Sequence, residues 1–283
     1  MALYRLHEPV PLSAPSLIAA FDGWVDAGSA ATGGLGQLLG DATVLATFDS
    51  DQLYDYRSRR PTLEIVDGRL AELTFPELTL RHVRIDGRDL LILAGAEPDD
   101  RWRTLSGDFV ELAGRFGVVE WISLGAIPAA VPHTRPVPIL GTASRDGLLR
   151  ADVQAGPIGT LRVPAALLSV LEMAVAEAGF AAVGYFAQVP HYVSGDYPAA
   201  SVELLKALGA HLGIELPTGA LALEDRELRT RLDAATALDE TTRSYVERLE
   251  RMADEARLPS GDELIGDIER FLREQGSQGG QRS

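Results

Sequence analysis

There is no cysteine in the 283 residues, which excludes disulfides, thiolate nucleophiles and cysteine-ligated zinc or iron–sulfur sites. Basic charge is scarce as well: 26 Lys and Arg stand against 41 Asp and Glu, a formal net charge of −15. A field of that sign repels phosphate backbones and anionic lipid, so neither nucleic acid nor a membrane is an expected partner. Lys206 is the only lysine, a skew toward arginine that reads as codon bias. No uncharged stretch is long and proline-free enough to span a bilayer. The opening MALYRLHEPVPLSAP carries a glutamate and three prolines where an export signal needs an apolar core, so a cytoplasmic protein is expected.

What the chain does have is alternation. Short apolar, β-branched runs at Leu17–Phe21, Thr43–Phe48, His82–Ile85, Leu90–Ala94, Val119–Leu124, Val137–Thr142 and Ala182–Gln188 read as strands. Helix-period segments at Ala27–Leu39, Arg101–Phe116, Pro164–Ala178 and Ala199–Leu212 lie between several of them. In the second of these, Trp102, Leu105, Phe109, Leu112 and Phe116 make one apolar face. Strand–helix alternation predicts a largely parallel sheet with helices on both faces. Asp86-Gly87 between two strand segments is a hairpin signal, so the sheet is expected to be mixed.

After LPTGALA (216–222) the composition turns to charged amphipathic helix. Tyr245, Leu249, Met252 and Ala256 share one face, and Leu264, Ile268, Phe271 and Leu272 another. Ser260-Gly-Asp-Glu263 fits a capping box. The expected organisation is an α/β domain over 1–218, a helical extension over 219–275 and a polar, unstructured tail over 276–283.

Three stretches carry candidate chemistry. FDGWVDAGSAATGG (21–34) has the Gly23-x4-Gly28 spacing of a phosphate loop, but Ser29-Ala30 stand where the motif needs Lys and then Ser or Thr. Asp26 sits at an N-cap position, and a carboxylate there competes with phosphate. Asp22 and Trp24 are left to line a crevice beyond the strand end. ISLGAIPAAVPHTRPVPILGTAS (122–144) places His133 and Arg135 between prolines, suited to anion binding or to backbone hydrogen bonding. YFAQVPHYVSGDYPAASVELL (185–205) gathers Gln188, His191, Tyr192, Ser194, Asp196 and Tyr197. No G-x-S-x-G elbow accompanies Ser194, and no H-E-x-x-H spacing joins the five dispersed histidines.

FDSDQLYDYRSRRP (48–61) lacks the glycine and terminal glutamate of a calcium loop. Its Tyr, Asp and Arg mixture, with Tyr54 and Arg57 foremost, reads as a contact surface or as a solvated loop. The candidate ligand- or partner-binding residues are therefore Asp22, Trp24, Asp26, Tyr54, Arg57, His133, Arg135, His191 and Tyr192. No catalytic set, metal set or cofactor is expected.

FDGWVDAGSAATG (21–33), FDSDQLYDYRSRRPTLEIVDG (48–68), WISLGAIPAAVPHTRPVPILGTAS (121–144), GYFAQVPHYVSGDYPAAS (184–201) and LPSGDELIGDIERFLRE (258–274) together resemble the actinobacterial members of the PAC2 family. The resemblance implies a three-layer α/β/α sandwich with a mixed, mostly parallel sheet, similar to the phosphorylase and peptidyl-hydrolase class. It brings no catalytic residues. It implies protein–protein contact, a homo-oligomer (a trimer or a multiple of it) and proteasome subunits as partners. Chaperone relatives dock through a C-terminal hydrophobic-Tyr-X tail, whereas this chain ends Gln281-Arg282-Ser283, so docking of that kind is not expected. The alternative is a phosphorylase- or hydrolase-like enzyme or small-ligand binder, its crevice formed at the strand ends by Asp22, Trp24, His133, Arg135, His191 and Tyr192.

Overall fold

A computed structural model describes residues 2–157 and 159–256. The strands are β1 (Tyr4–Leu6), β2 (Ser16–Asp22), β3 (Thr43–Phe48), β4 (Thr62–Val66), β5 (Arg69–Thr74), β6 (Leu78–Ile85), β7 (Arg88–Ala96), β8 (Glu120–Ala129), β9 (Ile139–Ala143), β10 (Gln154–Ala155) and β11 (Ala181–Pro190). Nine of them form one sheet in the order β1-β3-β6-β7-β2-β8-β11-β9-β10, and β4 and β5 pair only with each other. The central strands β7, β2, β8 and β11 are parallel. Antiparallel pairing adds β6 and β3 on one side and β9 on the other. The sheet is therefore mixed, and the Asp86-Gly87 turn is the hairpin its sequence predicts, with both residues at positive φ (49° and 78°).

Central parallel strands are covered on both faces, which is why their sequences run apolar without alternation. In β2, Leu17, Ala19 and Phe21 enter one core with Leu105, Phe109 and Leu112 of α3 (Trp102–Phe116) and Leu167, Leu168 and Leu171 of α4 (Leu167–Glu177). Ile18 and Ala20 enter the other, with Ala30, Ala31 and Leu35 of α1 (Ala30–Gly36) and Leu204, Leu205 and Leu208 of α5 (Pro198–Leu212). Helices thus lie on both faces, in a three-layer α/β/α sandwich. A short turn of helix, α2 (Ser50–Leu53), follows β3.

Two compact units form, Met1–Leu232 and Asp233–Ser283, and the boundary falls inside α6 (Leu221–Leu238). The sequence reading set the end of the α/β body at 218. Leu221, Leu228 and Leu232 pack with the α1–α5 core. In the second unit, α7 (Glu240–Ala256) buries Val246 and Leu249 and leaves Met252 half exposed. The expected capping box at 260–263, the helix after it and the tail over 276–283 lie outside the described residues. Among the described residues no helix is long and apolar enough to cross a membrane.

Candidate functional site

Because β7, β2, β8 and β11 are parallel, their C-terminal ends share one edge of the sheet, with Asp22 in register with Ala96. β3 ends and β6 begins at the same edge. The loops singled out from the sequence all leave from it, which is where open α/β sheets hold ligands and partners.

The turn after β2 is fastened by Glu97, a residue that sequence reasoning missed. Its Oε1 accepts the Leu167 N–H at 2.7 Å, and its Oε2 accepts the Trp24 N–H at 3.2 Å. Its own N–H donates to the Asp22 carbonyl at 2.9 Å. Gly23 makes room for it, since a Cβ there would stand 2.5 Å from Glu97 Oε2. Trp24 is left 66% exposed. Beside it Asp22 forms an ion pair with Arg59 at 3.4 Å. Arg57 does not take part: it folds back onto Asp55 at 3.3 Å. Tyr54 is buried, its hydroxyl donating to the Ala96 carbonyl at 2.8 Å. It holds the edge together from inside.

Asp26 is likewise turned inward. A 3-10 turn, Ala27–Ser29, precedes α1, so the helix starts later than the sequence predicts. The Asp26 carboxylate reaches across that turn, accepting the Ala31 N–H at 2.7 Å and the Thr32 hydroxyl. Burial pushes its pKa up, against the lowering effect of those hydrogen bonds. The carboxylate thus occupies donors at the start of this short helix that a phosphate would need, and adds a negative charge beside them.

Gly28, at φ 64°, joins this turn to the segment after β11. Its carbonyl accepts the Tyr197 N–H at 2.8 Å, and a Cβ would meet Tyr197 Cβ at 2.7 Å. Behind the junction, Ser29, Thr32, Gln37, Asp196, Ser201 and Glu224 line a cleft of about 370 Å³. Asp22, Trp24, His133 and Tyr192 are not among its walls.

The loops after β8 and β11 clamp each other through His133, His191 and Tyr192. The Tyr192 hydroxyl accepts the His133 N–H at 2.8 Å and lies 2.7 Å from His133 Nδ1. His191 uses both its N–H (3.1 Å) and its Nδ1 (3.0 Å) on the Ala129 carbonyl. Arg135 closes a turn on the Pro132 carbonyl, and Arg229 of α6 donates to the His133 carbonyl at 3.1 Å. Among the described residues, no hydrogen bond, ion pair or ring contact joins Asp22 or Trp24 to His133, Arg135, His191 or Tyr192. Because His133 is buried, Tyr192→Phe is expected to lower stability by about 2 kcal/mol through the lost bonds. Urea unfolding checks this, and an unchanged midpoint would mean that the clamp contributes nothing.

At the opposite end of the sheet lies a second unforeseen group. Ser16 Oγ donates to Glu120 Oε1 at 2.6 Å, Glu120 Oε2 meets His211 Nε2 at 3.0 Å, and His211 Nδ1 meets the Tyr185 hydroxyl at 2.7 Å. The order carboxylate–imidazole–hydroxyl matches that of a nucleophilic triad. The electrostatics do not, because burial pushes Tyr185 up to about 12 and so away from a reactive phenolate. Glu120 is held below the usual carboxylate range, first by its hydrogen bond to His211.

Burial also raises Tyr54 and Tyr197. A raised tyrosine contributes stability that is complete below its ordinary value near 10 and is lost as pH climbs through the folded value. Phenolate absorbance is therefore expected to show these three tyrosines ionising only as the fold collapses above about pH 11. Their smooth ionisation near pH 10 in folded protein would contradict it.

With the geometry in place, comparison with known proteins is informative. The profile of the PAC2 family matches residues 20–236. No curated protein matches the sequence. Among solved structures, a Mycobacterium tuberculosis protein of unknown function is 34% identical with a TM-score of 0.84, over 89% of this chain and 91% of that one. A PAC2 family protein from Streptomyces avermitilis is 34% identical with a TM-score of 0.74, over 82% of this chain and 99% of that one. A proteasome-assembly chaperone homologue from Mycobacterium tuberculosis is 33% identical with a TM-score of 0.74, over the same shares.

Proposed function

The chain belongs to the PAC2 family, and from that premise we propose that it works by holding other proteins, as a proteasome-related assembly chaperone, rather than by transforming a small molecule. The observation that carries this reading is Trp24. A tryptophan two-thirds exposed, fixed by its backbone to Glu97 and flanked by the Asp22–Arg59 pair, is an interface anchor in waiting. The similarity to an assembly-chaperone homologue supports the class of partner. The enzyme alternative needs the Asp22–Trp24 corner and the His133–Tyr192 clamp to act on one substrate, and among the described residues no bond links the two. On the same reading the protein is a cytoplasmic homo-oligomer.

Affinity purification from its own cells, under conditions that keep weak complexes intact, tests the proposal. Proteasome subunits are expected to be retained, and to be lost when Trp24 is replaced by alanine. Retention of none, with the bait folded, would remove the proteasome from the account.

A further inference from the structure

The cleft behind the Gly28–Tyr197 junction holds polar groups that the fold itself does not use. Ser29, Gln37, Asp196, Ser201 and Glu224 line it, and among the described residues their side chains make no hydrogen bond or ion pair. Thr32 differs, since its hydroxyl is given to Asp26. Ser201 matters most. The residue is only 2% exposed, yet its Oγ has no partner among the described residues and opens into the cleft. A buried hydroxyl left without a hydrogen bond costs free energy, which a ligand that supplies one recovers. Gly33 keeps the approach open, because a Cβ there would stand 3.4 Å from Ser201 Oγ. At about 370 Å³ the cleft has the size of a small-ligand site.

Charge decides which ligand fits. Asp196 and Glu224 bring two carboxylates, and among the described residues no lysine or arginine lines the cleft. The start of α5 meets it through Pro198, and helix starts attract anions. That dipole amounts to about half an elementary charge, against two full negative charges. Two donors that an anion would use are also out of play: Pro198 has no N–H, and the Tyr197 N–H is given to the Gly28 carbonyl. A metal ion is not favoured either, because among the described residues no group of three His, Asp or Glu could hold one.

We propose that this cleft binds an aliphatic polyamine, with ammonium groups on Asp196 and Glu224 and an N–H donated to Ser201 Oγ. A primary ammonium carries three donors and no acceptor, which matches walls of carboxylates, hydroxyls and an amide oxygen. The two carboxylates stand on different segments, one just before α5 and the other in the first turn of α6. Ammonium groups joined by methylenes suit that arrangement, and Pro198 and Leu221 give the methylenes an apolar wall. The net charge of −15 draws such a cation toward the protein as a whole. The ligand is held and not transformed, so this inference goes beyond the protein-contact reading and does not depend on it.

Calorimetric titration of the full chain with spermidine at low ionic strength is the test. One saturable site per chain is expected. Asp196→Asn and Glu224→Gln should each weaken it about tenfold, the loss of one charge-assisted contact. Both side chains are exposed and unpartnered among the described residues, so each variant is expected to keep the wild-type thermal transition. Gly33→Ala sets a methyl in front of Ser201 Oγ, in a helix that favours alanine, and should weaken binding about fivefold. Glu64→Gln, on the exposed strand β4, controls for general electrostatic attraction and should change nothing. Absence of a saturable site overturns the proposal, as does unchanged affinity in Asp196→Asn and Glu224→Gln. Equal weakening by Glu64→Gln overturns it too, and would assign the binding to overall charge. So does saturable binding of inorganic phosphate that Gly33→Ala abolishes, since the cleft would then take anions.

Discussion

Gly95→Ala is expected to destabilise the protein by about 4 kcal/mol. Gly95 sits near the end of β7 at φ 150°, directly opposite the start of β6. A Cβ there would lie 2.1 Å from the Glu77 carbonyl oxygen and 3.0 Å from Leu78 Cα. Both are backbone atoms, so no side-chain rotation relieves the contact, and β6 must part from β7. The neighbouring Ala96 carbonyl accepts the Tyr54 hydroxyl, and Glu97 fastens the Trp24 turn, so the functional edge would loosen with the sheet. The transition is expected to fall by about 10 °C. Gly107→Ala is the control: it lies on the exposed side of α3 with open space around it. Alanine there is expected to be neutral or to stabilise by up to about 1 kcal/mol. A Gly95→Ala protein within about 1 kcal/mol of wild type would mean that the strand pairing at this edge is looser than described.

Trp24→Ala carries the second large effect, and it is on binding rather than on folding. Its backbone contact to Glu97 survives truncation, and an indole this exposed contributes little to the core, so stability should change by less than about 0.5 kcal/mol. Buried tryptophans at interface centres cost about 2 kcal/mol or more on truncation, which is about a 30-fold loss of affinity. Val119 provides the comparison, being similarly exposed just before β8 at the other end of the sheet. Val119→Ala should leave partner affinity unchanged. Equal losses at both positions would point to a diffuse effect instead of a docking edge.

The layers were legible in the sequence because burial leaves a mark. The apolar run at 16–22 and the 3-4 spacing of α3 state their own surroundings. The β4–β5 ribbon has alternation and an Asp67-Gly68 turn, yet it went unassigned, since alternation without a buried face does not stand out from an exposed loop. Asp26 was legible as a carboxylate at a helix start, but the 3-10 turn that makes it bond Ala31 and Thr32 instead of capping at Ala27 was not. Glu97, Arg59 and the Ser16–Glu120–His211–Tyr185 chain could not, because each acts on residues 26 to 104 positions away and only the sheet order brings them together. Asp22, Trp24, His133, Arg135, His191 and Tyr192 were legible as residues of one sheet edge, because each follows a strand of the parallel centre.

The most direct measurement is a titration of isolated proteasome subunits against the full chain and against Trp24→Ala, with both proteins matched for thermal stability. The account predicts saturable binding to the wild type, weakened about 30-fold in the variant. Absence of saturable binding, or identical binding by both, would contradict it.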